Sequence, residues 1–227
     1  MKDNKLLIEG IIFDLDGTLI DYEGISNLAM SKPLERLGVE GISWKRQSQL
    51  IGTPIQVWGR QVIDERNLTE KLDLNDYIKE YFDEVGLGYS KMGPLPGAME
   101  LINKFHSLKI PMAIATTTPR PKFDTKMVYH TKILEKMTCI VTGDEVINGK
   151  PAPDIFLLAA SKLGKDPKKC IVFEDSPWGV QGANTAGCYS VAIPDSRMIQ
   201  FIKEDFKIAN DVINSLEEFD TEKIIKS

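Results

Sequence analysis

Two patterns of apolar and polar residues divide the chain. Between residues 21 and 92, apolar side chains recur at spacings of three and four, for example Tyr77, Ile78, Tyr81 and Phe82, as on one face of a helix. The stretch "GLGYSKMGPLPG" that follows contains four glycines and two prolines and predicts a boundary. We therefore expect a block of helices at 21–92 without strands.

Outside this block, short apolar runs alternate with helical patterns. The run "IIFDLDGTLI" at 11–20 predicts the first buried strand. Beyond the boundary we predict strands at 110–116, 138–142, 170–173 and 188–193, and helices at 97–108, 122–135, 153–163 and 177–186. Such alternation is typical of a parallel sheet covered by helices on both faces. The sequence thus predicts an α/β fold, with a Rossmann-like three-layer α/β/α core at 1–20 and 93–227 and an inserted all-helical cap domain at 21–92.

The charge of the chain restricts its partners. With 28 Lys and Arg against 33 Asp and Glu, the net charge is -5, so no basic surface is expected for a nucleic acid polymer or a membrane. No apolar run reaches the roughly 18 residues that a membrane span needs. Cys139, Cys170 and Cys188 have no paired spacing and fit reduced core thiols. We expect a cytoplasmic monomer whose partner is a small molecule.

Polar residues collect where the predicted strands end. They are Asp14 and Asp16 after the first strand, Thr116, Thr117 and Thr118 after "IPMAIA", Lys150 in the loop "NGKPAPDIF", and Glu174 and Asp175 in "CIVFED". Sites in parallel sheets form at the carboxyl ends of strands, so we expect these groups to converge. Carboxylates at close quarters repel one another unless a cation lies among them, and Mg²⁺ is the most economical hard cation with oxygen ligands. A lysine and hydroxyl groups beside it suit a phosphoryl group.

Each of these motifs is less specific when taken singly. An acidic pair after a strand is more often a turn or a helix cap than a metal ligand. An EF-hand is excluded, because Thr18 and Ile25 stand where the calcium loop needs acceptors and a glutamate. The segment "GDEVINGKP" fails as a nucleotide loop, because it has five residues between its glycines and Pro151 in place of Ser or Thr. The combination of motifs in this order is what favours a metal and phosphate site.

Four motifs together resemble the haloacid dehalogenase superfamily, whose aspartate-based phosphatases have an Asp-x-Asp-Gly-Thr segment, a strand-end Thr or Ser, a lysine and a late acidic pair. The motifs are "FDLDGTL", "IATTT", "GKPAPDIF" and "VFEDSPWGVQGANTAG", and the resemblance covers the core from residue 8 to about 195. The segments "FDTKMVYHTKILEKM" and "VTGDEVINGKPAPDIFLLAA" are similar to the group of pseudouridine-5'-phosphatase and the plant glycerol-phosphate and riboflavin-phosphate phosphatases. This resemblance implies a small phosphate monoester as substrate.

The resemblance also implies a role for each motif residue. Asp14 would be the nucleophile that forms an aspartyl-phosphate, and Asp16 would be the general acid and then the general base. Thr116 and the amide of Thr117 would hold the phosphate, and Lys150 would offset the charge of Asp14 and of the phosphoryl oxygens. The implied Mg²⁺ ligands are Asp14, the carbonyl of Asp16, Asp175, and Glu174 directly or through water.

The acid at position 16 separates two chemistries. The dehalogenases of the superfamily have a non-acidic residue there and use no metal, whereas an acid can protonate a leaving oxygen. With Mg²⁺ and Lys150 neutralising the phosphate, a carboxylate nucleophile can approach it. We therefore expect a Mg²⁺-dependent phosphatase that acts on a pseudonucleotide, nucleotide, polyol or sugar phosphate.

The inserted helices match the cap of one branch of the superfamily, a lid that excludes water and selects the substrate. Within it, Arg60 and Lys45 are candidates to meet a polar substrate, and Trp58 is a candidate to stack on a ring. Arg120, one position beyond the place where relatives tend to have a basic residue, is a candidate phosphate or substrate contact. A surface or packing role is the alternative for each.

Two other functions stay open at this point. A sugar-phosphate mutase similar to β-phosphoglucomutase would have the same core and cap, but such mutases use basic cap residues, including a histidine. Here His106 and His130 both lie outside the cap. A non-catalytic binding protein on this fold would be free to lose its costly buried charges, yet the motif residues are intact.

Overall fold

The computed structural model describes residues 6–225 as eight strands and ten α-helices. The strands are β1 (Leu6–Leu7), β2 (Gly10–Phe13), β3 (Met112–Ala115), β4 (Cys139–Val141), β5 (Cys170–Glu174), β6 (Tyr189–Ala192), β7 (Asp211–Val212) and β8 (Ile224–Ile225). The helices before β3 are α1 (Tyr22–Arg36), α2 (Trp44–Ser48), α3 (Ile55–Glu65), α4 (Leu74–Gly88) and α5 (Ala98–Ser107). Those after β3 are α6 (Arg120–Met127), α7 (Thr131–Leu134), α8 (Asp154–Leu163), α9 (Pro177–Ala186) and α10 (Ile199–Ile202).

Six strands form one parallel sheet in the order β4-β3-β2-β5-β6-β7. The first strand of the chain's core, β2, therefore lies in the middle, with β3 on one side and β5 on the other. All four residues of β2 are buried, as expected for a strand covered on both faces. β1 and β8 pair separately as a two-stranded parallel sheet. The predicted α/β fold with a parallel sheet is confirmed.

Alternate side chains of β2 point to opposite faces of the sheet and enter different layers of the core. Ile12 packs in a cluster that includes Phe156 of α8 and Ala183 of α9. Phe13 packs on the other face, where its ring stacks on Phe173 at 5.1 Å between centroids. Burying such a ring contributes about 1.5–3 kcal/mol, so these two layers fix where β2 ends.

Helices α1 to α4 form a block of their own between β2 and β3, as the spacing predicts. Asp21 caps α1 by accepting a hydrogen bond from the Gly24 amide at 3.3 Å, and Asp73 caps α4 in the same way. The buried Trp58 packs edge-on against Tyr77 and Tyr81, with centroid distances of 5.8 and 5.3 Å. The block thus has an aromatic centre. The division into a core and a cap domain stays a prediction.

The structure departs from the predicted elements at two places. The helix predicted at 122–135 is broken: α6 ends at Met127 and α7 begins at Thr131, because His130 leaves helical geometry at φ -128° and ψ 34°. The two-residue strands β1, β7 and β8 give no recognisable signal in the sequence. Within residues 6–225, no helix combines the length and the apolar character needed to cross a membrane.

Candidate active site

The predicted strand ends meet at one edge of the sheet, where a cavity of about 410 Å³ opens. Asp14 follows β2 directly, Glu174 is the last residue of the neighbouring β5, and Lys150 reaches the same point from the loop before α8. The cavity is also lined by Asp16, Thr117, Thr118 and Asp175. Convergence therefore follows from strand order, since β2 lies between β3 and β5.

Lys150 is buried and joins two of the carboxylates. Its Nζ lies 2.5 Å from Asp14 Oδ1 and 2.5 Å from Glu174 Oε1, and it also donates to the Ala115 carbonyl at 3.3 Å. Burial alone would lower the pKa of Lys150, but the negative charges of Asp14 and Glu174 raise it well above its usual range. Lys150 therefore stays cationic and holds the nucleophile candidate in place.

The carboxylates at this edge outnumber the lysine between them. Burial, together with the nearby Glu174, raises the pKa of Asp14 from 3.8 to about 7 in spite of Lys150. Burial and the charges of Glu174 and Asp14 also raise the pKa of Asp175 well above its ordinary value. Among the described residues, Asp14, Glu174 and Asp175 thus line the cavity beside a single lysine, Lys150, and a bound cation would relieve both the repulsion among them and the cost of their burial.

Oxygen atoms suited to Mg²⁺ surround this excess charge. Gly17, at φ +85°, turns the chain so that the Asp175 carboxylate lies directly against it, and a Cβ there would fall 2.1 Å from Asp175 Oδ2. Within residues 6–225, no three acidic, histidine or cysteine side chains form a ready-made metal cage. Mg²⁺ requires no such cage, because it keeps several waters and usually binds one or two carboxylates. The carboxyl groups of Asp14 and Asp175, which both line the cavity, fit it.

Glu174 is the least suited of the four predicted metal ligands. Its Oε1 accepts from Lys150, and its Oε2 accepts from the Ser176 amide at 2.8 Å and from the Ser176 hydroxyl at 2.9 Å. Both oxygens are thus engaged by protein donors, so the geometry favours a role in holding Lys150.

Asp16 has a partner that we did not predict. Lys126 of α6 is buried, with 1% of its side chain exposed, and its Nζ lies 2.5 and 2.7 Å from the two carboxylate oxygens of Asp16. The Thr118 hydroxyl donates to the same carboxylate at 2.8 Å. The sequence does contain a signal, because Lys126 shares the buried face of α6 with Phe123 and Met127. A lysine on an apolar face calls for a buried acid.

The three threonines after β3 lie in different environments. Thr116 is buried, its amide donates to the Val141 carbonyl at 3.0 Å, and its hydroxyl accepts from the Thr118 amide at 3.1 Å. Thr117 lines the cavity, as does Thr118. Thr117 and Thr118 thus line the cavity, whereas Thr116 is buried and is not among its lining residues; the phosphate-binding roles of Thr116 and Thr117 stay predictions.

Three predicted substrate contacts do not reach this cavity. Trp58 is buried among Tyr77 and Tyr81, so its ring packs the helical block and has no free face for a ligand. Arg60 is exposed on α3 and does not line the cavity. Arg120, the first residue of α6, instead pairs with Glu145 at 3.1 Å. The substrate roles of Trp58, Arg60 and Arg120 stay predictions that the lining of this cavity does not support.

Other residues form the wall that faces the catalytic groups. They are Tyr22 and Glu23 of α1, Ile51, Gly52, Thr53 and Pro54 before α3, and Trp178 of α9. Gly52 has φ +77°, and a Cβ there would lie 2.3 Å from the Trp178 indole. Trp178 is 45% exposed. It belongs to the segment "VFEDSPWG", but a tryptophan there has no distinctive sequence signal.

Comparison with known proteins gives the same assignment as the motifs. The haloacid dehalogenase-like hydrolase family matches residues 11–193. The chain is 34% identical over 221 residues to "(DL)-glycerol-3-phosphatase 1, mitochondrial" of Arabidopsis thaliana, covering 95% of this chain and 73% of that protein. It is 33% identical over 227 residues to "Probable pseudouridine-5'-phosphatase" of Drosophila melanogaster, covering 97% of this chain and 96% of that one.

A solved structure shows the same fold. A haloacid dehalogenase hydrolase of family IA from Entamoeba histolytica superposes with a TM-score of 0.76 at 24% identity, covering 95% of this chain and 97% of that chain. The family match and the curated relatives confirm the predicted phosphatase group, and the protein is a phosphoric monoester hydrolase. The chain belongs to the haloacid dehalogenase-like hydrolase family.

Proposed function

We propose that the protein is a Mg²⁺-dependent phosphatase that hydrolyses a small phosphate monoester through an aspartyl-phosphate on Asp14. The observation that carries this proposal is the pairing of two lysines with two acids: Lys150 holds Asp14 at 2.5 Å, and Lys126 holds Asp16 at 2.5 Å. One acid is thus fixed for attack and the other for proton transfer.

The first half-reaction moves the phosphoryl group to the protein. Asp14 attacks phosphorus, and the bond from phosphorus to the leaving oxygen breaks. Bound Mg²⁺ would neutralise phosphoryl charge so that two anions can approach. Lys150 assists through its contact with Asp14 Oδ1, and Thr117, which lines the same cavity, would face the phosphoryl oxygens.

Proton transfer is assigned to the Asp16 and Lys126 pair. The proton that Asp16 and Lys126 share passes from Asp16 to the leaving oxygen, and the alcohol departs. In the second half-reaction a water loses its proton to Asp16 while its oxygen attacks phosphorus, which releases inorganic phosphate and restores Asp14. Lys126 and Thr118 fix the direction of the Asp16 carboxylate through both steps.

The helical block at 21–92 is proposed to act as the cap. It supplies Tyr22, Glu23 and the turn at Gly52 to the cavity, opposite the catalytic acids. The mutase alternative has less support, because neither His106 nor His130 lines the cavity, and Lys150 is the single cationic residue among its described lining residues.

Phosphate release from a panel of esters tests this proposal. The panel contains glycerol 3-phosphate, pseudouridine 5'-phosphate, flavin mononucleotide and hexose phosphates, each with Mg²⁺ and with a chelator. We expect Mg²⁺-dependent release that is concentrated on few esters and absent in Asp14→Asn. Isomerisation of β-glucose 1-phosphate without phosphate release would instead favour the mutase.

A further inference from the structure

The wall that faces the catalytic acids has a distinct chemical composition. Within residues 6–225, the cavity lining on this side comprises a carboxyl, a phenol and a threonine, together with apolar Ile51, Pro54 and Trp178. None of these groups is a cation. The cavity's lysine, Lys150, is already paired with Asp14 and Glu174.

Glu23 is the acidic group of this wall, and its position is fixed. Burial raises its pKa from 4.5 to about 7, so it carries its charge above that pH. Gln47 donates from Nε2 to Glu23 Oε2 at 2.5 Å. Gln47 is itself oriented, because Asn27 donates to its Oε1 at 2.6 Å and to the Ile42 carbonyl at 2.9 Å. This chain of amides points a donor at one oxygen of Glu23 and leaves the other oxygen available to accept from a ligand hydroxyl.

Trp178 gives the same wall an apolar surface. The residue is 45% exposed although it lines the cavity, and the edge of its ring lies against Gly52. Ile51 and Pro54 adjoin it. An aromatic face beside a hydrogen-bond acceptor suits a carbon skeleton that has C–H groups on one side and hydroxyls on the other.

A neighbouring cavity extends this surface. It has a volume of about 720 Å³ and shares Ile51 and Trp178 with the first. Its one described cation, Lys45, is accompanied by the carboxyl groups of Glu204 and Asp205. A nucleoside or a longer sugar would therefore meet no net positive charge beyond Trp178 either.

We propose that this wall selects phosphate monoesters with an uncharged, hydroxylated leaving group, such as a polyol, sugar or nucleoside, and rejects esters with a second phosphate or a carboxylate. This inference rests on the proposed phosphatase function and specifies its substrate class. A second anion would lie beside the carboxyl of Glu23 with no cation among the described wall residues to balance it, and an unpaired buried charge is strongly disfavoured.

Two matched substrate pairs test the selection. Glycerol 3-phosphate and 3-phosphoglycerate differ by a carboxylate in place of a hydroxymethyl group. Fructose 1-phosphate and fructose 1,6-bisphosphate differ by a second phosphate. We expect kcat/KM from initial phosphate release, with Mg²⁺ at pH 8, to favour the neutral member of each pair by at least about tenfold.

Variants assign the selection to the wall. Glu23→Gln should reduce the preference severalfold, chiefly by lowering KM for the anionic member, whereas Glu70→Gln, an exposed carboxyl outside the cavity, should leave it unchanged. Trp178→Ala should raise KM for the sugar ester more than for the glycerol ester.

The outcomes separate the two proposals. Turnover of neutral and anionic members at equal kcat/KM, or an unchanged preference in Glu23→Gln, would overturn the selection and leave the phosphatase standing. No Mg²⁺-dependent phosphate release from any ester would overturn the phosphatase itself.

Discussion

Replacing the nucleophile should remove activity and stabilise the metal-free protein. In Asp14→Asn the side chain keeps its shape and loses its negative charge. Asp14 is buried beside Glu174 and Asp175, and its pKa rises from 3.8 to about 7. The folded protein therefore binds the Asp14 proton more tightly than the unfolded chain does. The stability that this proton provides is complete below pH 4 and is lost as pH rises to about 7.

The size of the effect follows from that pKa. At about 1.4 kcal/mol per pKa unit, the difference between 3.8 and about 7 corresponds to a loss of about 4 kcal/mol above pH 7. Asparagine avoids this loss. The weaker hydrogen bond that a neutral group accepts from Lys150 is already contained in that pKa, because Lys150 is one of its causes. The gain is therefore about 4 kcal/mol at most, or roughly 8–16 °C in Tm for a chain of this length.

Thermal unfolding of chelator-treated protein measures the gain across pH 4 to 8. We expect the Tm difference between Asp14→Asn and wild type to grow up to about pH 7 and then stay constant. Added Mg²⁺ should raise the Tm of the wild type more than that of the variant. A variant less stable than wild type at pH 8 would refute the idea of excess negative charge, and retained turnover would refute the covalent mechanism.

Three further changes probe other contacts. Lys126→Met should lower kcat by about 10–100-fold with little change in KM, because Asp16 loses the partner that orients it. Lys126→Arg should retain more activity, and an equal loss in both variants would contradict this role. Gly52→Ala should lower kcat/KM about tenfold, since the new Cβ would collide with the indole at a positive φ, whereas Gly86→Ala, with open space around it, should not. Lys150→Met should destabilise the metal-free protein by about 3–5 kcal/mol in thermal or urea unfolding, because it leaves two buried carboxylates without their cation; a loss below about 1 kcal/mol would count against a buried pair.

The catalytic edge could be predicted because its residues lie at strand ends. In a parallel sheet the position of a strand end is set by the apolar run before it, and polar residues directly after that run are placed at the edge. Asp14 and Glu174 could therefore be brought together from the sequence, whereas Lys150 joins them from the loop before α8. Their hydrogen bonds could not be predicted in this way. The hydrogen bond from the Ser176 amide to Glu174, for example, depends on Ser176 being the N-cap of α9.

Side chains on helices were harder to assign. The buried Lys126 reaches Asp16 from a sequence distance of 110 residues, and that contact depends on where α6 packs. For a tryptophan, the sequence gives the size of the side chain but not the direction in which it points. Trp58 faces the inside of the helical block, whereas Trp178 at the start of α9 faces the cavity. Spacing within a helix shows which residues share a face, but not what that face contacts.

Arg120, which contacts no substrate cavity, bears on the behaviour of the protein at high concentration. The outer strands of the six-stranded sheet, β4 and β7, are its shortest, with three and two residues. On β4 the outward carbonyl of Ile140 accepts from Arg120 at 3.5 Å and from Lys162 at 3.4 Å, and both cations also pair with Glu145. Another chain would have to displace this charged cluster before it could add a strand. The open edge of the sheet is thereby protected against edge-to-edge aggregation.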